Sequence, residues 1–184
     1  IHLVLAMLLA LTYAVTTMRD ELHSALTRAE LMNQLATTDV LTELPNRRAA
    51  EEFLNKQVAV ANRYKRKFAV ISADIDNFKP INDTWGHAQG DQVLAKIAKI
   101  LAQSARESDL VARWGGDEFL IVAPDTSESN AKYLLQRLHK STNGIQVAGV
   151  DISMTFGCAE FNPGDNLEDV LARADAELYD EKKK

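Results

Sequence analysis

The chain has 184 residues, 46% hydrophobic and 26% charged, which suits one domain with an ordinary core plus a helical extension and excludes global disorder. A net charge of −5 argues against a nucleic-acid polymer as partner, since gripping that backbone takes clustered Lys and Arg; a small phosphorylated ligand stays open, because Mg²⁺ held by carboxylates can supply the positive charge. The single cysteine, Cys158, excludes a disulfide scaffold or a Cys-rich zinc site and reads as a core filler.

In chain order, residues 1–18 contain no Asp, Glu, Lys or Arg. That run stands at the lower edge of transmembrane length and lacks the basic start and cleavage site of a signal peptide. Two readings stay open: the inner end of a membrane helix with Arg19 and Arg28 on the cytoplasmic side, or a helix packed in an upstream sensor domain or a dimer. The first residue is Ile, as expected of a piece of a longer protein. Ile1, Val4, Leu8, Leu11, Val15, Met18, Leu22, Ala25, Ala29, Met32 and Ala36 follow one another at alternating three- and four-residue steps. This a/d seam predicts a continuous helix over 1–36, about 54 Å long, pairing as a parallel two-stranded coiled coil. Its small Ala positions make it weaker than a Leu/Ile zipper.

Pro45 and Asn46 then punctuate the chain, with Asn46 placed to cap the next helix. The patterns that follow predict a helix over 47–64, a buried strand FAVISADI over 68–75, a loop, and a helix near 88–104. LVARW and FLIVA flank a Gly-Gly turn as a β-hairpin. A helix over 128–141, a strand over 151–160 and a helix over 167–181 complete the domain, residues 37–184. The arrangement expected is a sheet containing antiparallel strands, with helices on one face.

Acidic residues concentrate at two places. The first strand ends in Asp74, Ile75 and Asp76; carboxylates two apart on a strand share a face, and this pair reads either as turn or cap acids or as a Mg²⁺ site. The second place is RWGGDEF, where Gly115 and Gly116 permit positive φ and close approach of a ligand, and Asp117 and Glu118 emerge at the head of a hairpin strand. If that hairpin lies beside the first strand, three or four carboxylates converge, a cluster that repels itself without metal and matches two-metal activation of a hydroxyl against a pyrophosphate leaving group. Between the two places, Asn77 and Phe78 can offer backbone amides to phosphates, with Lys79 adding charge. Asn82 and Asp91 carry the polarity that reads a guanine edge, or else serve as turn and cap residues. His87 reads as a helix-start histidine.

These residues fall into linked motifs: D-x-LTxLPNRR, DIDNFKPIND, GHAQGD, ARWGGDEF and AD-x-x-LY-x-x-K, in order from Asp39 to Lys182. In order and spacing they resemble the GGDEF domain, the diguanylate cyclase family. The resemblance implies an α+β domain with a ferredoxin-like, polymerase-palm type core, and an enzyme that condenses two GTP into cyclic di-GMP as a homodimer of facing domains. It implies that Asp74, the Ile75 carbonyl and Asp117 hold two Mg²⁺ or Mn²⁺ ions, and that Glu118 assists beside them. Asp117 would also help to deprotonate the ribose 3′-OH. Asn82 and Asp91 would read guanine, Asp91 favouring two guanines over a mixed product, while the Asn77–Phe78 backbone and Lys182 hold the β and γ phosphates.

R-E-S-D, from Arg106 to Asp109, lies five residues before Gly115. By the same resemblance it forms an inhibitory site for cyclic di-GMP; Arg offers a bidentate fork and Asp an acceptor for guanine N–H groups. Two other readings stand beside the enzyme: a non-catalytic cyclic di-GMP receptor using Arg106 and Asp109, and a GTP-binding regulatory module. The expected setting is the bacterial cytoplasm, at the inner membrane if residues 1–18 are embedded. The chain departs from the family pattern at Glu43, where Gly is common, at Glu177 and Glu181 in place of small residues, and at Thr155 in place of Ser. A further phosphate-binding Arg is expected beyond Lys184.

Overall fold

The computed structural model describes residues 2–183, with the side chains of residues 2–10, 29, 34 and 35 outside that description. The chain divides into two compact units, Ile1–Ala36 and Thr37–Lys184.

In the first unit, a helix α1 runs His2–Thr37 without a break, as the absence of Pro and Gly before Pro45 permits. Of the seam, Leu11, Val15, Met18, Leu22, Ala25 and Met32 are exposed, Met18 and Met32 by 71% and 73%. The expectations for the side chains of Ile1, Val4, Leu8 and Ala29 lie outside the described residues. Among the described residues no helix is long and apolar enough to cross a membrane, so the membrane reading of residues 1–18 gains no support.

In the second unit, Asp39 closes a turn by accepting from the Thr42 N–H at 2.9 Å and the Thr42 hydroxyl at 2.7 Å. Asn46 caps α2, Arg47–Tyr64, by accepting from the Ala49 N–H. There follow β1 (Phe68–Ile75), α3 (Phe78–Trp85), α4 (His87–Ser104), β2 (Leu110–Gly115), β3 (Glu118–Pro124), α5 (Glu128–Thr142), β4 (Ile145–Val147), β5 (Val150–Ile152), β6 (Met154–Glu160) and α6 (Leu167–Lys182). The main sheet has the order β2-β3-β1-β6, every neighbouring pair antiparallel. With α4 between β1 and β2 and α5 between β3 and β6, this is the ferredoxin-like βαββαβ pattern.

Three expectations are corrected. Helices cover both faces of the sheet rather than one. Ile71, Ala73 and Ile75 pack with α4 and α5 residues such as Val93, Ile97 and Leu138, while Phe68 and Val70 pack with α2 and α6 residues such as Leu54, Val170 and Ala174. The physical reason is in β1 itself, which is apolar at both parities and therefore needs cover on both sides. The stretch between β1 and α4 is not a loop but holds α3: Phe78 and Ile81 form its inner stripe, and Pro80 falls in the first turn, where its missing N–H costs little. The predicted strand over 151–160 is interrupted at Ser153; β5 pairs with β4 in a separate hairpin and only β6 joins the main sheet.

Candidate functional site

The sheet order sets β3 against β1 in a register that puts Glu118 opposite Asp74. The Ile75 N–H donates to the Asp117 carbonyl at 3.3 Å, so the end of β1 and the Gly-Gly turn form one edge. α6 crosses β1 and β6, and its last turn brings the Lys182 ammonium onto Asp74 Oδ1 as an ion pair. The two acids of D-x-D differ in surroundings. Asp76 accepts from the Thr155 hydroxyl at 2.7 Å, so the Thr that departs from the family pattern keeps a donor. Asp74, its side chain 14% exposed, has a buried Oδ1 with no well-directed hydrogen bond, only the close cation.

Electrostatics agree with crowding. Burial pushes the Asp74 carboxyl above the ordinary carboxylate value; Lys182 opposes the shift, and Asp117 and Asp76 add to it. Burial likewise raises Glu118, joined by the charges of Asp74, Asp117 and Asp175. Such a site favours a cation. Among the described residues no three His, Cys, Asp or Glu side chains form a ready metal cage, so the expected convergence of three or four carboxylates is looser than a closed site. The donors still fit a hard divalent ion that takes some ligands from phosphate: two carboxylates, one of them with a buried oxygen held by the Lys182 cation, and an adjacent backbone.

The phosphate and purine candidates lie on α3 and α4. Asn77 takes φ 56°, and Phe78 starts α3 beyond it, so the expected turn amides belong to a helix N-terminus, which favours anions. Asn82 is half-buried on α3 and Asp91 exposed on α4. The two helices meet at Gly86, whose φ of 84° and ψ of 160° suit glycine and whose N–H donates to the Asn82 carbonyl at 2.8 Å. His87 starts α4. In the R-E-S-D turn, the Asp109 carboxylate accepts from the Arg106 N–H at 2.9 Å and the Arg106 side chain is exposed.

Arg113, Asp39 and Asp175 carry no role on motif grounds. Arg113 donates through Nε and Nη2 to the Gly116 carbonyl at 3.1 and 2.8 Å and through Nη1 to both Asp39 oxygens at 3.2 and 3.1 Å. It thereby ties the signature turn to the 39–46 turn. Of the two glycines there, only Gly116 has positive φ, 28°. Asp175 accepts from the Ser72 hydroxyl at 2.6 Å, one strand pleat from Asp74 and two helical turns from Lys182. The only sequence signals for these residues are their places in the quoted motifs. Cys158 is half-buried and packs against the core, and burial and the nearby Glu177 push its thiol up to about 12. Glu177 itself accepts from the Cys158 N–H at 2.7 Å.

Fold and site together define an α+β domain of ferredoxin-like topology with an acidic, cation-seeking strand end beside a glycine turn. The chain belongs to the GGDEF family: the family model described as diguanylate cyclase, GGDEF domain, matches residues 36–184. It is 36% identical over 173 residues to diguanylate cyclase DosC of Escherichia coli, across 90% of this chain and 36% of that protein. It is 37% identical over 174 residues to diguanylate cyclase DgcP of Pseudomonas aeruginosa, across 92% of this chain and 26% of that protein. The chain thus spans about a third or less of the length of these curated relatives. Among solved structures, the coiled coil and GGDEF domain of DgcB from Caulobacter crescentus in complex with c-di-GMP superposes with a TM-score of 0.88 at 30% identity, covering 94% of both chains.

Proposed function

We propose that this chain is the catalytic part of a diguanylate cyclase, condensing two GTP into cyclic di-GMP with release of two pyrophosphates. The observation that carries this reading is the convergence of Asp74, the Asp117–Glu118 turn and Lys182 at the end of β1. Asp74, the Ile75 carbonyl and Asp117 would hold two Mg²⁺ or Mn²⁺ ions, which supply the charge that activates the attacking 3′-OH and neutralises the departing pyrophosphate. Lys182 would pass from Asp74 to the β and γ phosphates, met there by the backbone at Asn77 and Phe78. Asn82 and Asp91 would hold guanine, Asp117 would take the 3′-OH proton, and Glu118 would help to position the reacting groups.

One domain binds one GTP in this scheme, so two copies must face each other. The exposed seam of α1 supports a parallel coiled coil that pairs them, an upstream input then altering their alignment. Arg106 and Asp109 would bind the product and inhibit.

The test is incubation of the purified dimer with GTP and Mg²⁺, followed by chromatography of the nucleotides. Cyclic di-GMP should accumulate and stall, with the stall relieved in Arg106→Ala. Asp117→Asn should cut turnover by about a thousandfold while leaving cyclic di-GMP binding intact. A confirmed dimer that makes no product yet binds cyclic di-GMP is instead the receptor; one that binds GTP alone is the regulatory module.

A further inference from the structure

Gly90 lies buried on α4, directly before Asp91. A Cβ built there would stand 1.9 Å from Asn82 Oδ1, 3.0 Å from Asn82 Cγ and 3.2 Å from Phe78 Cζ. The Phe78 distance is one that a ring yields to by a few tenths of an ångström; the Asn82 distance is not, because it lies well inside van der Waals contact. The Asn82 carboxamide therefore fills the volume that any other residue at position 90 would claim. Gly90 has ordinary helical φ, so conformational freedom does not explain the glycine, and in a helix interior it costs about 1 kcal/mol relative to Ala.

We infer that Gly90 is a specificity-determining position of the purine pocket, acting by seating the Asn82 carboxamide against α4 beside Asp91. This rests on the reading of Asn82 and Asp91 as the guanine-binding pair. A carboxylate accepts from guanine N1–H and N2–H₂, while an amide complements O6 or N3 on the same base, so the two must stand at a set separation. Packing the amide onto bare backbone fixes that separation without using either group's hydrogen-bonding capacity. With a methyl at position 90 the helices can stay where they are, but the amide must swing away. Asp91 then reads one edge alone, and a purine that differs at position 6 is rejected less strongly.

The experiment is titration calorimetry of the full chain with GTP and with ATP, on Gly90→Ala, Asn82→Ala and the double variant, with thermal melting as the control on folding. Gly90→Ala should weaken GTP binding at least tenfold (about 1.4 kcal/mol) and narrow the preference for GTP over ATP. In the Asn82→Ala background, where the obstructed atoms are gone, the same change should weaken GTP less than twofold. Wild-type affinity in Gly90→Ala, or an equal loss in both backgrounds, overturns the inference. Should Gly90→Ala fail to fold, a double variant that folds supports it, and one that also fails overturns it, since the Phe78 contact would then dominate. If Asn82→Ala alone binds GTP as tightly as the wild type, it is the guanine reading that fails, an outcome distinct from the others.

Discussion

At the β1 end of the candidate site, Asp74 and Glu118 are opposite residues of neighbouring strands, and Lys182 reaches them from a helix packed on the sheet. In the α3–α4 corner, Asn82 and Asp91 stand on two helices joined by one glycine and held by side-chain packing. Each end leans on a glycine, in opposite ways. A Cβ on Gly157 of β6 would meet the backbone of α6, 2.2 Å from both the Ala174 carbonyl oxygen and the Leu178 nitrogen, whereas one on Gly90 meets the Asn82 side chain. The strand end is thus fixed by backbone against backbone, and the helical corner by backbone against a movable amide. A charge cluster that must hold repelling groups gains from the stiffer support, while the candidate purine pair, Asn82 and Asp91, rests on a side chain that a single rotamer change moves.

The largest test of that contrast is Gly157→Ala. It should shift α6 bodily and destabilise the domain by about 3 kcal/mol, read as a lower urea midpoint, and should carry Lys182 off Asp74. A loss below about 1 kcal/mol would mean that α6 is as adjustable as the Asn82 amide. Next comes a substitution outside both ends. Glu43 holds φ 59°, a left-handed conformation that charges a side-chain-bearing residue about 1 kcal/mol. Glu43→Gly should therefore raise stability by about 0.5–1 kcal/mol in urea melts and leave GTP affinity unchanged. A change in affinity would show that the 39–46 turn, tied by Arg113 to Gly116, acts on the site.

The smallest effect is a pH dependence confined to the strand end. Glu118 has a raised pKa in the fold, chiefly from burial and then from Asp74 and Asp117, so its ionised form opposes folding at neutral pH. Stability from this group is full below the ordinary value of 4.5 and is lost as pH rises through the raised value. Metal-free Glu118→Gln should accordingly melt slightly higher than the wild type at pH 7, with the gain vanishing as pH falls toward 4. Equal melting temperatures at pH 7 would mean that the cluster is not electrostatically crowded.

Much of this was legible in the residues. α2, β1, β3, α5 and α6 follow from periodicity and caps, because local hydrophobic pattern and hydrogen bonds to the nearest N–H groups act over a few residues. The site candidates followed from motifs, since spacing along the chain already sets Asp74 and Asp76 on one strand face and places Asp117 beside Glu118 at the Gly-Gly turn. α3 was hidden because Asn77, Pro80, Asn82 and Asp83 look like turn residues, and only burial of Phe78 and Ile81 against the core overrides that tendency.

By itself, then, the sequence determined the helical extension, most of the elements and the candidate residues for phosphate, cation and base, all properties of short spans. Only the tertiary structure decided that helices cover both sheet faces, that Asp74 meets Lys182, that Arg113 joins two turns, and that Gly90 makes room for Asn82. Each of these depends on atoms far apart in the chain or on unoccupied volume, and local propensity encodes neither.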